Sequence, residues 1–154
     1  MNRIRHQLIG SITIAIICIY LGSGCTTSRT SKPVSLETTI ESFYQAEQAQ
    51  DWRTMWTFAA STFKRNLTYK EFVEEYVKGA KEFSLVSWKI LRIEDMNVPL
   101  SEFGSKVTRA VKVPMDVIFY DKTTKTTEKS TDQTDYWIQE NGRWFWHWRG
   151  FPTD

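Results

Sequence analysis

The chain has 154 residues, 41% of them hydrophobic and 14% aromatic, with 20 basic and 18 acidic side chains. That length suits one domain with a sizeable core, and that composition is the composition of a folded protein rather than a disordered one. Its two cysteines, Cys18 and Cys25, both precede Thr26, so no disulfide framework can staple the remainder.

Residues 1–7 carry Arg3, Arg5 and His6, and the run Leu8 to Leu21 (LIGSITIAIICIYL) contains no charge. A basic start, a short apolar run and the small residues Gly22, Ser23 and Gly24 predict an export signal over residues 1–24. A bilayer span needs about 20 apolar residues. The run is shorter, and counting Gly22 to Gly24 in lengthens it only to a marginal span, which leaves a retained single-span anchor as the alternative. The stretch Leu21-Gly22-Ser23-Gly24-Cys25 resembles the lipobox of bacterial lipoproteins, in which the cysteine is acylated and becomes the mature amino terminus. The resemblance implies lipidation at Cys25 and membrane attachment through that lipid. It also implies a place in the cell envelope, at the outer membrane in a diderm cell, because Thr26 rather than aspartate follows. Two or three acyl chains, each contributing about 0.8 kcal/mol per buried methylene, make such attachment durable.

Removing residues 1–24 takes Arg3 and Arg5 and leaves 18 basic side chains, equal to the 18 acidic ones. A balance near zero argues against capture of nucleic acid, which relies on clustered cations neutralising phosphates. Lys122, Lys125 and Lys129 are the densest late basic group, but Asp121, Glu128 and Asp132 interleave with them as in a solvated hairpin.

Residues 25–34 are polar, aperiodic and contain Pro33, which reads as a lipidated tether before a domain over residues 35–154. Leu36, Ile40, Phe43 and Tyr44 recur at helical spacing and predict a first helix over about 36–49, with Thr38 and Glu41 as a capping box. Asp51 caps a second helix carrying Trp52, Met55, Trp56 and Ala59, and a break is expected at Ser61 and Thr62. Thr68 and Glu71 form a clearer capping box, opening a third helix with Phe72, Val73, Tyr76, Val77 and Ala80 on one face.

The period then changes to that of strands. Residues 83–93 alternate imperfectly, and residues 106–120 place Val107, Val111, Val113, Met115, Val117 and Phe119 mostly on one face. Pro114 cannot donate to a ladder and implies an edge position or a bulge there. Asn141-Gly142 between residues 135–139 and 143–149 is a type I′ hairpin signal. In the last strand Trp144, Trp146 and Trp148 share one face, expected to be core, with Phe145 and His147 on the other.

Helices first and antiparallel strands afterwards predict an α+β domain, with N-terminal helices packed on a curved antiparallel sheet. The phrase SLETTIESFYQAEQAQDWRTMW and the terminal WIQENGRWFWHW resemble the nuclear transport factor 2-like (cystatin-like) superfamily. The likeness is carried by the aromatic pair Phe43 and Tyr44, the acidic turn at Asp51 and the Gly142-Arg143-Trp144 hairpin. That resemblance implies a cone-shaped fold with a cavity between sheet and helices, and homodimers as a common arrangement.

Tyr44, Trp56, Tyr76, Asp116, Tyr136 and His147 are the candidate residues for such a cavity. The steroid-isomerase branch of the resemblance implies a carboxylate base with tyrosine donors. Asp116, Asp135 and Glu94 are the strand acids available, and Tyr44, Tyr76, Tyr120 and Tyr136 the donors, with no catalytic motif to place any of them. His147 is the only histidine after the signal, which leaves multi-histidine metal sites and a Ser/His/Asp triad poorly supported. No catalytic residue, metal ligand or cofactor is therefore assigned. The expected function is a membrane-anchored lipoprotein of the cell envelope, acting as a non-enzymatic binding or accessory module. Its cavity would take a small apolar ligand, or its surface an envelope protein. The alternatives are a small-molecule isomerase or hydrolase of the same fold, and a single-span scaffold subunit of a secretion apparatus.

Overall fold

In the computed structural model, which describes residues 34–147, helix α1 spans Leu36–Gln48. Residues 1–24, where an export signal is expected, the expected lipidation site Cys25, and Trp148 lie outside the described residues. Ser35, in an extended conformation, caps α1 by accepting the Thr38 N–H on Oγ at 3.2 Å. The box expected from Thr38 and Glu41 does not form, because Thr38 is already inside the helix and its hydroxyl turns back to Ser35 Oγ at 3.0 Å. Gln50, with φ 55°, reverses the chain, and Asp51 accepts the Thr54 N–H at 3.0 Å to start α2 (Trp52–Phe58), as its sequence predicts.

The break expected at Ser61 and Thr62 is instead a short helix, α3 (Ser61–Asn66). Ala60 has no side-chain acceptor to offer, and the cap comes from Glu140 Oε1, which accepts the Ser61 N–H at 3.2 Å and its hydroxyl at 2.9 Å. A cap contributed from 79 residues away leaves no local signature. The Thr68–Glu71 capping box forms as expected and opens α4 (Tyr69–Glu82).

Strands β1 (Phe83–Ile90), β2 (Glu94–Asp95), β3 (Val107–Asp121), β4 (Thr126–Glu140) and β5 (Arg143–Trp146) make one antiparallel sheet in the order β1-β3-β4-β5. Strand β2 pairs with β3 beyond the end of β1, so both lie along the same edge. The register shifts between Leu85 and Ser87, between Val107 and Arg109, and between Met115 and Val117. Bulges of this kind strengthen twist, and two strands of 15 residues curl with them into a half-barrel. Pro114 is not on an edge: it lies in the central strand, beside the last of these bulges, and its carbonyl accepts the Leu91 N–H at 3.0 Å. The Asn141-Gly142 turn has φ values of 51° and 77°, the positive pair that a type I′ hairpin needs.

The helices cover the sheet face that carries Val111, Val113, Met115, Val117 and Trp137, all fully buried. Phe43 joins the layers, with its ring centroid 5.2 Å from Trp146, 5.6 Å from Trp137 and 6.2 Å from Phe58. Hydrogen bonds also tie the layers. The Ala60 N–H donates to the Trp146 carbonyl at 2.8 Å, and Gln48 Nε2 donates at 2.8 Å to the carbonyl of Val86, the bulged residue of β1. Among the described residues, no helix is long and apolar enough to cross a membrane.

Candidate functional site

Alternation along β4 sends Asp135 and Trp137 to the helix side, and α1 brings Tyr44 above Asp135. The Tyr44 hydroxyl donates to Asp135 Oδ2 at 2.7 Å, and the Trp146 indole donates to the same carboxyl. Glu47, one helical turn after Tyr44, shares its face and is half-buried. Helix α4 contributes Phe72, Glu75 and Tyr76, and α2 contributes Trp52, whose ring centroid is 5.4 Å from that of Tyr76.

These side chains line a half-open cavity of about 550 Å³ between the helices and the sheet, with Phe83 and Phe119 at the end where β1 pairs with β3. Glycine at position 79 and alanine at position 80 keep the α4 side open, since a Cβ added at Gly79 would meet nothing within 4 Å.

The environment sets the protonation of the polar groups. Burial pushes the Asp135 carboxyl up to about 6, against the opposing pull of the hydrogen bonds from Tyr44 and Trp146. Burial, assisted by the charge of Asp135, pushes Glu47 up to about 7. The Tyr44 and Tyr76 hydroxyls are driven well above their ordinary value by burial and by these carboxylates, and remain neutral donors. The cavity thus sets two carboxyls able to gain or lose a proton near neutrality beside aromatic walls.

Only part of the expected set assembles here. Tyr44 and Tyr76 line the cavity; Trp56, Asp116, Tyr136 and His147 do not. Trp56 packs among Phe63, Tyr69 and Phe72, with Lys64 Nζ 5.4 Å from its ring. Asp116 is on the opposite sheet face, paired with Lys129 Nζ at 2.7 Å, and that bond holds its carboxyl below its ordinary range. Glu94 is likewise paired, with Lys112 and Arg92. Tyr136 falls on the face opposite Asp135 because strand residues alternate, and its carbonyl accepts the His147 N–H at 2.8 Å. His147 Nδ1 is 3.2 Å from Thr62 Oγ1, with its ring edge-on to Phe103. The residues the sequence reading missed are Glu47, Trp52 and Trp146. Glu47 had a legible signal: it continues the stripe of Leu36, Ile40 and Phe43 at a position where an apolar residue is due.

No family model matches the chain, and no curated protein matches it. Its structure is similar to a SEC-C motif containing protein from Rhodopseudomonas palustris, with a TM-score of 0.56 and 12% identity, over 78% of this chain and 80% of that one. A second SEC-C motif containing protein, from Psychrobacter arcticus, has a TM-score of 0.55 and 8% identity, over 82% of this chain and 66% of that one. At such identities the likeness establishes the fold alone. It also corrects the family resemblances drawn from the sequence: the matched structures are SEC-C motif containing proteins, and neither the nuclear transport factor 2-like assignment nor the lipoprotein assignment is supported. The aromatic pair, the acidic turn and the Gly-x-Trp hairpin are packing features of a helix laid on a curled sheet, and such features do not distinguish one family from another.

Proposed function

We propose that this domain is a binding module whose cavity takes a small, mostly apolar molecule. The observation that carries the reading is an aromatic-walled space of about 550 Å³ converging on one buried acid, Asp135. That size lies within the roughly 300–1,000 Å³ of small-molecule sites, which combine apolar walls with a few convergent polar groups. The test uses the neutral fluorescent probe N-phenyl-1-naphthylamine with the purified domain and with Ala80→Trp, which fills the α4 side. Saturable enhancement with the native chain, abolished in Ala80→Trp with helix content retained, supports the reading. Equal enhancement in both proteins, or none in the native chain, overturns it.

A second reading, a proton-transfer enzyme such as an isomerase, is favoured by one observation: Asp135 and Glu47 share the cavity with both carboxyls raised toward neutrality. It predicts exchange of α-hydrogens of small cyclic ketones into heavy water, followed by proton NMR. The exchange should disappear in Asp135→Asn, and undetectable exchange with the native chain would count decisively against it.

A further inference from the structure

The charges that face the cavity are all of one sign. Glu47 and Glu75 from the helices and Asp135 from the sheet line it, and among the described residues no lysine, arginine or histidine does. Asp135 is buried, and its hydrogen-bond donors are the neutral side chains of Tyr44 and Trp146. Among the described residues neither Asp135 nor Glu47 forms an ion pair, although six pairs form elsewhere, on exposed or half-buried carboxylates. A carboxylate removed from water without a cation is costly, and a cation delivered into the cavity relieves that cost.

The walls fit the same visitor. Trp52, Phe72 and Tyr76 form a contiguous aromatic surface, with centroids 5.4 Å and 4.5 Å apart along the chain of contacts, and Tyr44 lies across from it on α1. Ring faces attract a desolvated cation and accept an aromatic or aliphatic body equally well. An anionic ligand would meet three carboxylates and no positive group.

We propose that the ligand of this cavity is a small organic amine, its ammonium group seated between Asp135 and Glu47 and its apolar body against Trp52, Phe72 and Tyr76. The proposal rests on the reading of the cavity as a small-molecule site. Protonation supports it: burial raises both carboxyls toward neutrality, to about 6 and about 7, and an ammonium group beside them favours their ionised form.

Isothermal titration calorimetry at pH 7.5 with three probes of matched shape, 2-(1-naphthyl)ethylamine, 2-(1-naphthyl)ethanol and 1-naphthylacetate, tests it. The amine should bind at least tenfold more tightly than the alcohol, with no detectable binding of the carboxylate. Asp135→Asn and Glu47→Gln, each checked for native circular dichroism, should each bring the ratio of amine to alcohol affinity toward one. Asp116→Asn, on the other sheet face, should leave the ratio unchanged. Alcohol binding as tight as the amine, or tighter, overturns the amine assignment while leaving the small-molecule site standing. Preference for the carboxylate does the same. Absence of binding by all three probes together with the neutral naphthylamine overturns the site itself.

Discussion

The Tyr44 hydroxyl and the Asp135 carboxylate meet at 2.7 Å across 91 residues of sequence, joining the first helix to the fourth strand inside a cavity. A hydrogen bond to a charged group contributes about 1.5–3 kcal/mol, and its loss leaves the acceptor paying its full desolvation. Tyr44→Phe is therefore expected to destabilise the domain by about 1–3 kcal/mol at pH 8, where Asp135 is ionised, and by less at pH 5, where it is protonated. Urea unfolding at the two pH values measures the difference, and an equal loss at both would refute the assignment.

Asp135 and Glu47 also set how stability depends on pH. Their folded values, about 6 and about 7, lie above the ordinary 3.8 and 4.5, so the folded state holds more protons than the unfolded state between about pH 4 and pH 7. The contribution is present below the unfolded values and is lost as pH rises through the folded ones. Asp51, Glu71, Glu94, Asp95, Asp116 and Asp121 are held below their ordinary range and act in the opposite sense, but only below about pH 5. Thermal unfolding should therefore show a melting temperature that falls from pH 5 to pH 8. Asp135→Asn should flatten that fall and gain about 1–3 kcal/mol over the native chain at pH 8, since each unit of displacement corresponds to about 1.4 kcal/mol. A native melting temperature that rises over this range would contradict the assignment.

Glu140 caps α3 from the far strand, and it is buried. Replacing it by alanine removes the acceptor for the Ser61 N–H and hydroxyl, and a lost cap costs about 0.5–2 kcal/mol. Glu140→Gln keeps an oxygen acceptor and should recover part of that loss. Amide hydrogen exchange should show the first turn of α3 opening in Glu140→Ala, while α4, which carries its own capping box, keeps its protection.

At the β4–β5 turn, a Cβ added to Gly142 would meet nothing within 4 Å, yet φ there is +77°. Gly142→Ala is therefore penalised by backbone conformation alone, by about 1 kcal/mol. Denaturant unfolding should show that loss with an unchanged slope. A neutral result would mean that the turn relaxes to another type.

Much of the scaffold was legible because its signals are local. The Asp51 cap, the Thr68–Glu71 box and the Asn141-Gly142 turn each depend on residues within four positions, and all three form. The site was legible only in fragments. Tyr44, Tyr76 and Asp135 stood among the candidates, but so did Asp116, and the two acids are separated by which face of the sheet the helices cover. Trp56 shared a helical stripe with core residues, yet its ring is taken by α3 and α4.

From sequence alone came the α+β order, the helix starts that carry their own caps, the hairpin, and the sorting of the valines of β3 to one face. Each follows from propensities and periods that a few neighbouring residues impose whatever surrounds them. The tertiary structure decided the rest: that Ser61 begins a helix, that Pro114 sits in a central strand, and that Glu47 and Asp135 share one cavity. Those outcomes rest on groups brought together by the curl of the sheet, and the energy of a buried carboxyl depends on that enclosure rather than on its sequence neighbours.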